Sequence, residues 1–206
     1  MFTGIVETLS VVKELKNAGT NLDITMQCPI AHELKVDQSV AHDGVCLTVT
    51  SVNSNENTYT ITAIKETLNR SSLSQWKVGH IVNIERCMPA NGRFDGHIVQ
   101  GHVDCTGTID EIHDVDGSHL IFISHPENAG ITVGKGSVTL NGISLTVVDS
   151  FPDAFSVAII PYTWENTSLK NAKAGDLVNI EFDIVGKYLQ KMQALKDLNT
   201  NLTDSK

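Results

Sequence analysis

Two stretches of this chain carry side chains able to do chemistry, and they carry them in parallel. Ser39 to Val49 reads SVAHDGVCLTV, and Ser137 to Val147 reads SVTLNGISLTV. Each places a small hydrogen-bonding or nucleophilic side chain, Cys46 or Ser144, two residues after a turn glycine. On an extended strand, Thr48 and Thr146 share a face with Cys46 and Ser144, while Leu47 and Leu145 turn the other way. A buried free cysteine taken alone reads as a small hydrophobe. A polar face kept in both copies reads instead as a wall for a ligand. The third candidate is Gly101-His102-Val103-Asp104. Its glycine lets the backbone pass close to another group, and an imidazole with an ordinary pKa of about 6.5 suits proton transfer at neutral pH, although the sequence alone fits a structural histidine at least as well. His97 and His102 lie five residues apart, on opposite faces of a strand, which argues against a shared metal ion.

The elements that must position these groups repeat too. At a shift of 98, six of the eleven positions quoted above are identical, and at a shift of 96 so are nine of twenty-one between Lys65–Glu85 and Pro161–Glu181. Preserved order and spacing identify a tandem duplication. Each copy is β-rich. Tyr59 to Ile64 alternates polar and apolar residues, and Val78 to Ile84 and Ala174 to Ile180 repeat a strand pattern around a glycine. Asp43-Gly44, Asn91-Gly92, Asp116-Gly117 and Asn141-Gly142 supply turn chemistry. The pattern predicts six short strands per copy, closed as a barrel or stacked as a sandwich, with the copies meeting near residues 91–96. The tail lacks turn signals until its end. There Val185, Tyr188, Met192 and Leu195 recur by three and four, a helical stripe. That spacing fits packing on its own barrel and equally an oligomer seam.

Composition narrows the classes. A chain of 206 residues is long enough to bury a core without disulfides. A net charge of −9 argues against a nucleic-acid or anionic-membrane surface. No apolar run approaches the ~20 residues needed to span a bilayer, and Met1 to Glu7 lacks the basic and apolar parts of a secretory signal. A cytoplasmic setting is expected. Cys28, Cys46, Cys87 and Cys105 form no C-x-x-C pair, so free thiols are expected rather than zinc or disulfides. With eleven aromatic residues, a planar ligand is not expected in an aromatic sandwich, although one ligand could stack on another.

The motifs, taken in fixed order, are specific. They are Met1-Phe2-Thr3-Gly4-Ile5-Val6, Ser39-Val40-Ala41 with Gly44 to Thr50, and Lys65-Glu66-Thr67-Leu68. In the second half they are Gly101 to Asp104, Asn141 to Thr146, and Val178 to Asp183 followed by Gly186-Lys187-Tyr188. Along nearly its whole length the chain resembles the riboflavin synthase family. The resemblance implies an all-β fold of two tandem six-stranded Greek-key antiparallel barrels, over residues 1–96 and 97–183. It adds a C-terminal α-helix and tail over 184–206 that hold a homotrimer. It also implies a reaction in which two molecules of 6,7-dimethyl-8-ribityllumazine exchange a four-carbon unit, giving riboflavin and 5-amino-6-ribitylaminouracil. Each barrel would hold one lumazine, and the site would form where the N-terminal barrel of one subunit faces the C-terminal barrel of a neighbour. No cofactor, metal, nucleic acid or membrane enters this chemistry.

The resemblance assigns residues to both pockets. The N-terminal pocket takes Gly4, Ile5 and Val6, then Cys46, Leu47 and Thr48. It also takes the strand Thr62, Ala63, Ile64, Lys65, Glu66 and Thr67. The C-terminal pocket takes Gly101, His102 and Val103, with Lys135, Ser144, Leu145 and Thr146. Pro161, Tyr162, Thr163, Trp164, Glu165 and Asn166 complete it. His102 and Ser39 are expected to handle protons, and Cys46 or a bound water to add to lumazine C7. Asn141 stands where family members often carry Asp; it cannot act as a base but can hydrogen-bond a heterocycle. Asp183 matches a family carboxylate and equally fits a helix N-cap. A non-catalytic lumazine or flavin antenna on the same fold would be expected to lose Cys46 and His102. A flavin-dependent reductase would need a nicotinamide domain with a glycine-rich phosphate loop, and no such loop is present.

Overall fold

The structure, a computed structural model, describes residues 1–203; the last three residues of the tail assigned to 184–206 lie outside the described residues. Twelve strands form two closed antiparallel barrels of six. The first contains β1 (Thr8–Ala18), β2 (Asn21–Gln27), β3 (Ser39–His42), β4 (Val45–Asn53), β5 (Thr58–Ala63) and β6 (Ile81–Arg86). The second contains β7 (Cys105–Val115), β8 (Ser118–Ser124), β9 (Ser137–Leu140), β10 (Ile143–Ser150), β11 (Ala154–Ile159) and β12 (Leu177–Phe182). Both follow one order around the barrel, β1-β2-β5-β4-β3-β6 and β7-β8-β11-β10-β9-β12. A short helix follows the fifth strand of each, α1 (Lys65–Arg70) and α2 (Pro161–Asn166), and α3 (Ile184–Thr203) follows β12. Two sequence expectations shift here. Residues 62–67 are not one strand, because the chain turns into α1 at Lys65. The strand expected from Val78 begins at Ile81, because Gly79 at φ +90° puts a turn before it.

The period-two pattern does what it should. Along β4, Val45, Leu47 and Val49 are buried while Thr48 and Thr50 face outward, and β10 repeats this with Ile143, Leu145 and Val147. The hairpins β3–β4 and β9–β10 turn on Asp43-Gly44 and Asn141-Gly142, all four at positive φ, as a two-residue type I′ turn requires. These turns lie against each other across a pseudo-twofold axis. A Cβ on Gly44 would come 2.8 Å from Gly142 N, and one on Gly142 would come 2.7 Å from Gly44 N. A ring of four side chains closes the contact. Asn83 N donates to Asp43 Oδ1 and Asn83 Nδ2 to the Asn141 carbonyl, while Asn179 N donates to Asn141 Oδ1 and Asn179 Nδ2 to the Asp43 carbonyl.

The barrel interiors are not equivalent. In the first, buried His42 sits 2.7 Å from the Tyr59 hydroxyl through Nε2 and 3.0 Å from the Val40 carbonyl through Nδ1. The second has Leu140 and Phe155 at the matching positions. Burial lowers the His42 pKa to about 4. The unfolded imidazole takes a proton near 6.5, so between about 4 and 6.5 the unfolded chain binds more protons. The stabilisation from neutral His42 is therefore complete above about pH 6.5 and lost as pH falls towards 4, a swing of about 3 kcal/mol. The double change His42→Leu with Tyr59→Phe copies the second barrel and should flatten this dependence. Urea titrations between pH 4 and 7 would show it; an unchanged slope would refute the assignment.

Candidate functional site

The segments that precede the barrels decide where the pockets lie. Residues 1–6 are tied to the barrel that follows them by Thr3 and Gly4 on Glu85 and by Phe2 beside Ala41, but the pocket edge they form lies on the other barrel. Ser144 N donates to the Gly4 carbonyl at 2.8 Å, and Val6 packs on the core of the second barrel. Reciprocally, Cys46 N donates to the Gly101 carbonyl at 2.8 Å, and Val103 packs on the core of the first. The two segments cross at Phe2 and Val99, which pair as an isolated antiparallel bridge and are both buried. Both contacts need glycine. Gly4 and Gly101 sit at φ +78° and +79°, and a Cβ on either would come 2.6 Å from Ser144 Cβ or Cys46 Cβ.

This corrects the pocket assignment. Gly101, His102 and Val103 belong with Cys46 on the first barrel, and Gly4, Ile5 and Val6 with Ser144 on the second. A cavity of about 220 Å³ on the first barrel is lined by Val45, Cys46, Glu66, Thr67, Arg70, Ser71 and Gly101 to Val103. It joins five pocket candidates from three separate stretches, besides Val103. A larger cleft of about 460 Å³ lies between the barrels near Asp43, Trp76 and His80, and Asn141 is the one predicted site residue on it. Asn141 is committed to the inter-barrel ring, where Asp43 plays the matching part. That position needs an acceptor oxygen, which Asn and Asp both supply.

The remaining candidates divide by position. Leu47 and Leu145 point into the cores, while Thr48 and Thr146 are exposed beside Cys46 and Ser144. Thr62 donates its hydroxyl to Asp23 at 2.6 Å, and Ala63 is buried. Lys65 and Glu66 are exposed on α1, Glu66 lying 3.6 Å from Arg70. Lys135 is exposed at φ +67° and donates its backbone N–H to the Val147 carbonyl. On α2, Pro161, Glu165 and Asn166 face outward, Thr163 is half-buried, and Trp164 packs on His119 with ring centroids 3.7 Å apart. The rims stay open. Ile5, Ile64, Ile160 and Tyr162 are 46%, 51%, 59% and 74% exposed.

The chemistry differs between pockets. In the first, burial pushes the Cys46 thiol up against a hydrogen bond from Ser39, so at neutral pH the group is a thiol and not a thiolate. Exposed His102 lines the same cavity. In the second, Ser144 Oγ lies 2.6 Å from His97 Nδ1, and His97 Nε2 lies 3.2 Å from Thr139 Oγ1. Burial lowers the His97 pKa, with Asp183 opposing, which keeps the ring neutral and able to take the Ser144 proton. Asp183 itself caps α3, accepting from Val185 N at 2.9 Å. Sequence spacing argues against His97 as a metal ligand and gives it no other part; a histidine beside Gly96, at the junction of the copies, is the available signal. Among the described residues no cluster of metal-ligating side chains is found, and no helix is long and apolar enough to cross a membrane.

Two buried carboxylates lie outside the sequence-derived candidates. Glu85 accepts from Thr3 N, Thr3 Oγ1 and Gly4 N, and Glu181 from Gln100 N, Gly101 N and His102 N. Burial pushes both carboxyls up, against these bonds. Their signal lay in the repeat, where Val-Asn-Ile-Glu stands unchanged in both copies.

Comparison with known proteins agrees with the duplication. A family profile described as the lumazine binding domain matches residues 3–87 and again 100–183. Riboflavin synthase of Actinobacillus pleuropneumoniae is 43% identical over 193 residues, covering 93% of this chain and 89% of the relative. Riboflavin synthase of Bacillus subtilis is 37% identical, covering 98% and 94%. Among solved structures, LumP complexed with 6,7-dimethyl-8-(1'-D-ribityl) lumazine superposes with a TM-score of 0.80 at 19% identity, covering 88% of this chain and 99% of that one. The last likeness concerns the fold.

Proposed function

The chain belongs to the riboflavin synthase family, and from that premise we propose that its two pockets hold two molecules of 6,7-dimethyl-8-ribityllumazine as each other's reagents. One lumazine gives up a four-carbon unit and leaves as 5-amino-6-ribitylaminouracil; the other receives it and becomes riboflavin. The observation that carries this reading is the pair of matched pocket edges, Gly101 on Cys46 and Gly4 on Ser144. Holding two reactants in register supplies ~7–11 kcal/mol of the barrier before any proton moves.

The pockets share a frame but not their side chains, and this lets two identical molecules take different parts. His102 stands where the repeat has Ile5 in the other half. It removes or returns a proton at the reacting methyl group of the lumazine beside Cys46. Cys46, held as a thiol and hydrogen-bonded by Ser39, positions that lumazine. Ser144 with neutral His97 activates a hydroxyl or water toward C7 of the second lumazine, and the exposed Thr48 and Thr146 offer hydroxyls to the heterocycle edges. Lys135 and Glu66, on this reading, meet ribityl or ring oxygens. Purified protein given the lumazine alone, with a chelator present, should accumulate riboflavin absorbance. Binding without turnover would instead identify an antenna protein.

A homotrimer completes the proposal. Val185, Tyr188, Leu189, Met192, Leu195 and Leu198 are all about half exposed or more along α3, and such a stripe favours the seam over packing on the chain's own barrel. Three chains joined there would bring the N-terminal barrel of one to the C-terminal barrel of the next and cover the open rims. Met192→Glu should shift the mass in light scattering from trimer to monomer and depress turnover with it; an unchanged mass would exclude the seam. We place the enzyme in the cytoplasm, in keeping with four free cysteines.

A further inference from the structure

We infer that Glu85 and Glu181 are positioning residues, each fixing the edge of the pocket on the opposite barrel and so governing one of the two ligand sites. The inference rests on the reading of two lumazine sites per chain. Glu181, 3% exposed on β12 of the second barrel, receives the amide protons of Gln100, Gly101 and His102 at 2.7, 2.9 and 3.0 Å. Glu85, 6% exposed at the matching place on β6 of the first, receives Thr3 N at 2.7 Å and Gly4 N at 3.0 Å. Successive amides around a left-handed glycine form a concavity that binds anions. Here each concavity is filled by a carboxylate of the chain itself.

The clasp continues into the pocket. The Gly101 carbonyl accepts from Cys46 N, and the Gly4 carbonyl accepts from Ser144 N. Carboxylate, glycine peptide and pocket strand form a three-link chain in each half, and each chain starts on one barrel and ends on the other. Glu181 therefore sets the edge beside Cys46 and His102, while Glu85 sets the edge beside Ser144. A carboxylate that merely joined the barrels would weaken both sites together. A positioning carboxylate weakens only the site at the end of its own chain.

Glu→Gln keeps the side-chain length and one acceptor oxygen, but turns an amide N–H toward backbone N–H groups. Riboflavin titrations by calorimetry, with Cys46 alkylation mapped by mass spectrometry, separate the two sites. Wild type should bind two riboflavins per chain and protect Cys46. Glu181→Gln should lose about 10²-fold in affinity at one site and lose Cys46 protection. Glu85→Gln should lose the other site and keep the protection. Glu181→Asp and Glu85→Asp, which keep the charge on a shorter arm, should restore part of each loss. Equal weakening of both sites in either Gln variant, or two unchanged sites, would overturn the inference. Wild type binding a single riboflavin would overturn the two-site reading beneath it. Should a Gln variant fail to fold, the matching Asp variant decides by the same two readouts.

Discussion

Replacing His102 by Gln is expected to lower kcat by about 10²–10⁴-fold while KM moves little. Gln fills similar space and keeps hydrogen-bonding capacity, but it cannot carry a proton near neutral pH. The backbone at this position is held independently by the Glu181 clasp, and the side chain is exposed on the pocket edge, so the substitution leaves the fold and the edge in place. The loss should therefore fall on the chemical step. A matched rise in KM and fall in kcat would show that His102 only shapes the pocket.

Removing residues 1–6 is expected to cost still more. Every strand of both barrels begins at Thr8 or later, so the truncated chain retains its sheets. What it loses is the edge of the second pocket, the partners of Glu85, and buried Phe2, which packs beside Ala41, Cys46 and Gly101 at the first. One lumazine would then bind beside Cys46 with no partner held against it. The proximity advantage disappears, and turnover should fall by about 10⁵-fold or more. Gly4→Val tests the same pocket with Phe2 in place, because its Cβ would come 2.6 Å from Ser144 Cβ at a φ of +78°. Appreciable turnover in either variant would contradict the exchanged placement of the segments.

That exchange is also the clearest case of what the sequence could not yield. The repeat pairs Gly4 with Gly101 and Cys46 with Ser144, but it is equally consistent with each segment docking on its own barrel or on the other. Local chemistry is the same in both arrangements, as in domain swapping, and only the three-dimensional path of residues 1–6 decides. Other features were legible because they are local. Asp43-Gly44 and Asn141-Gly142 announce type I′ hairpins through the residue types that tolerate positive φ, and the alternation along β4 and β10 separates core from pocket wall. Asn141 enters the site only through the resemblance, where family members often carry Asp, and its side-chain oxygen is engaged by Asn179 N. His97 has no counterpart in the first copy, so the repeat could not single it out. The resemblance carries Thr62 to Thr67 as one strand, whereas the alternation in the residues stops at Ile64, and α1 after it has no side-chain cap to announce its start.

The most direct measurement mixes equal amounts of ordinary lumazine and lumazine carrying ¹³C at C6, C7 and their methyl groups, and takes the mass spectrum of the riboflavin formed. Two like molecules gripped in adjoining cavities, one donating to the other, require a half-labelled flavin as the most abundant product. A spectrum lacking the half-labelled species would mean that the ring is not assembled from two bound lumazines.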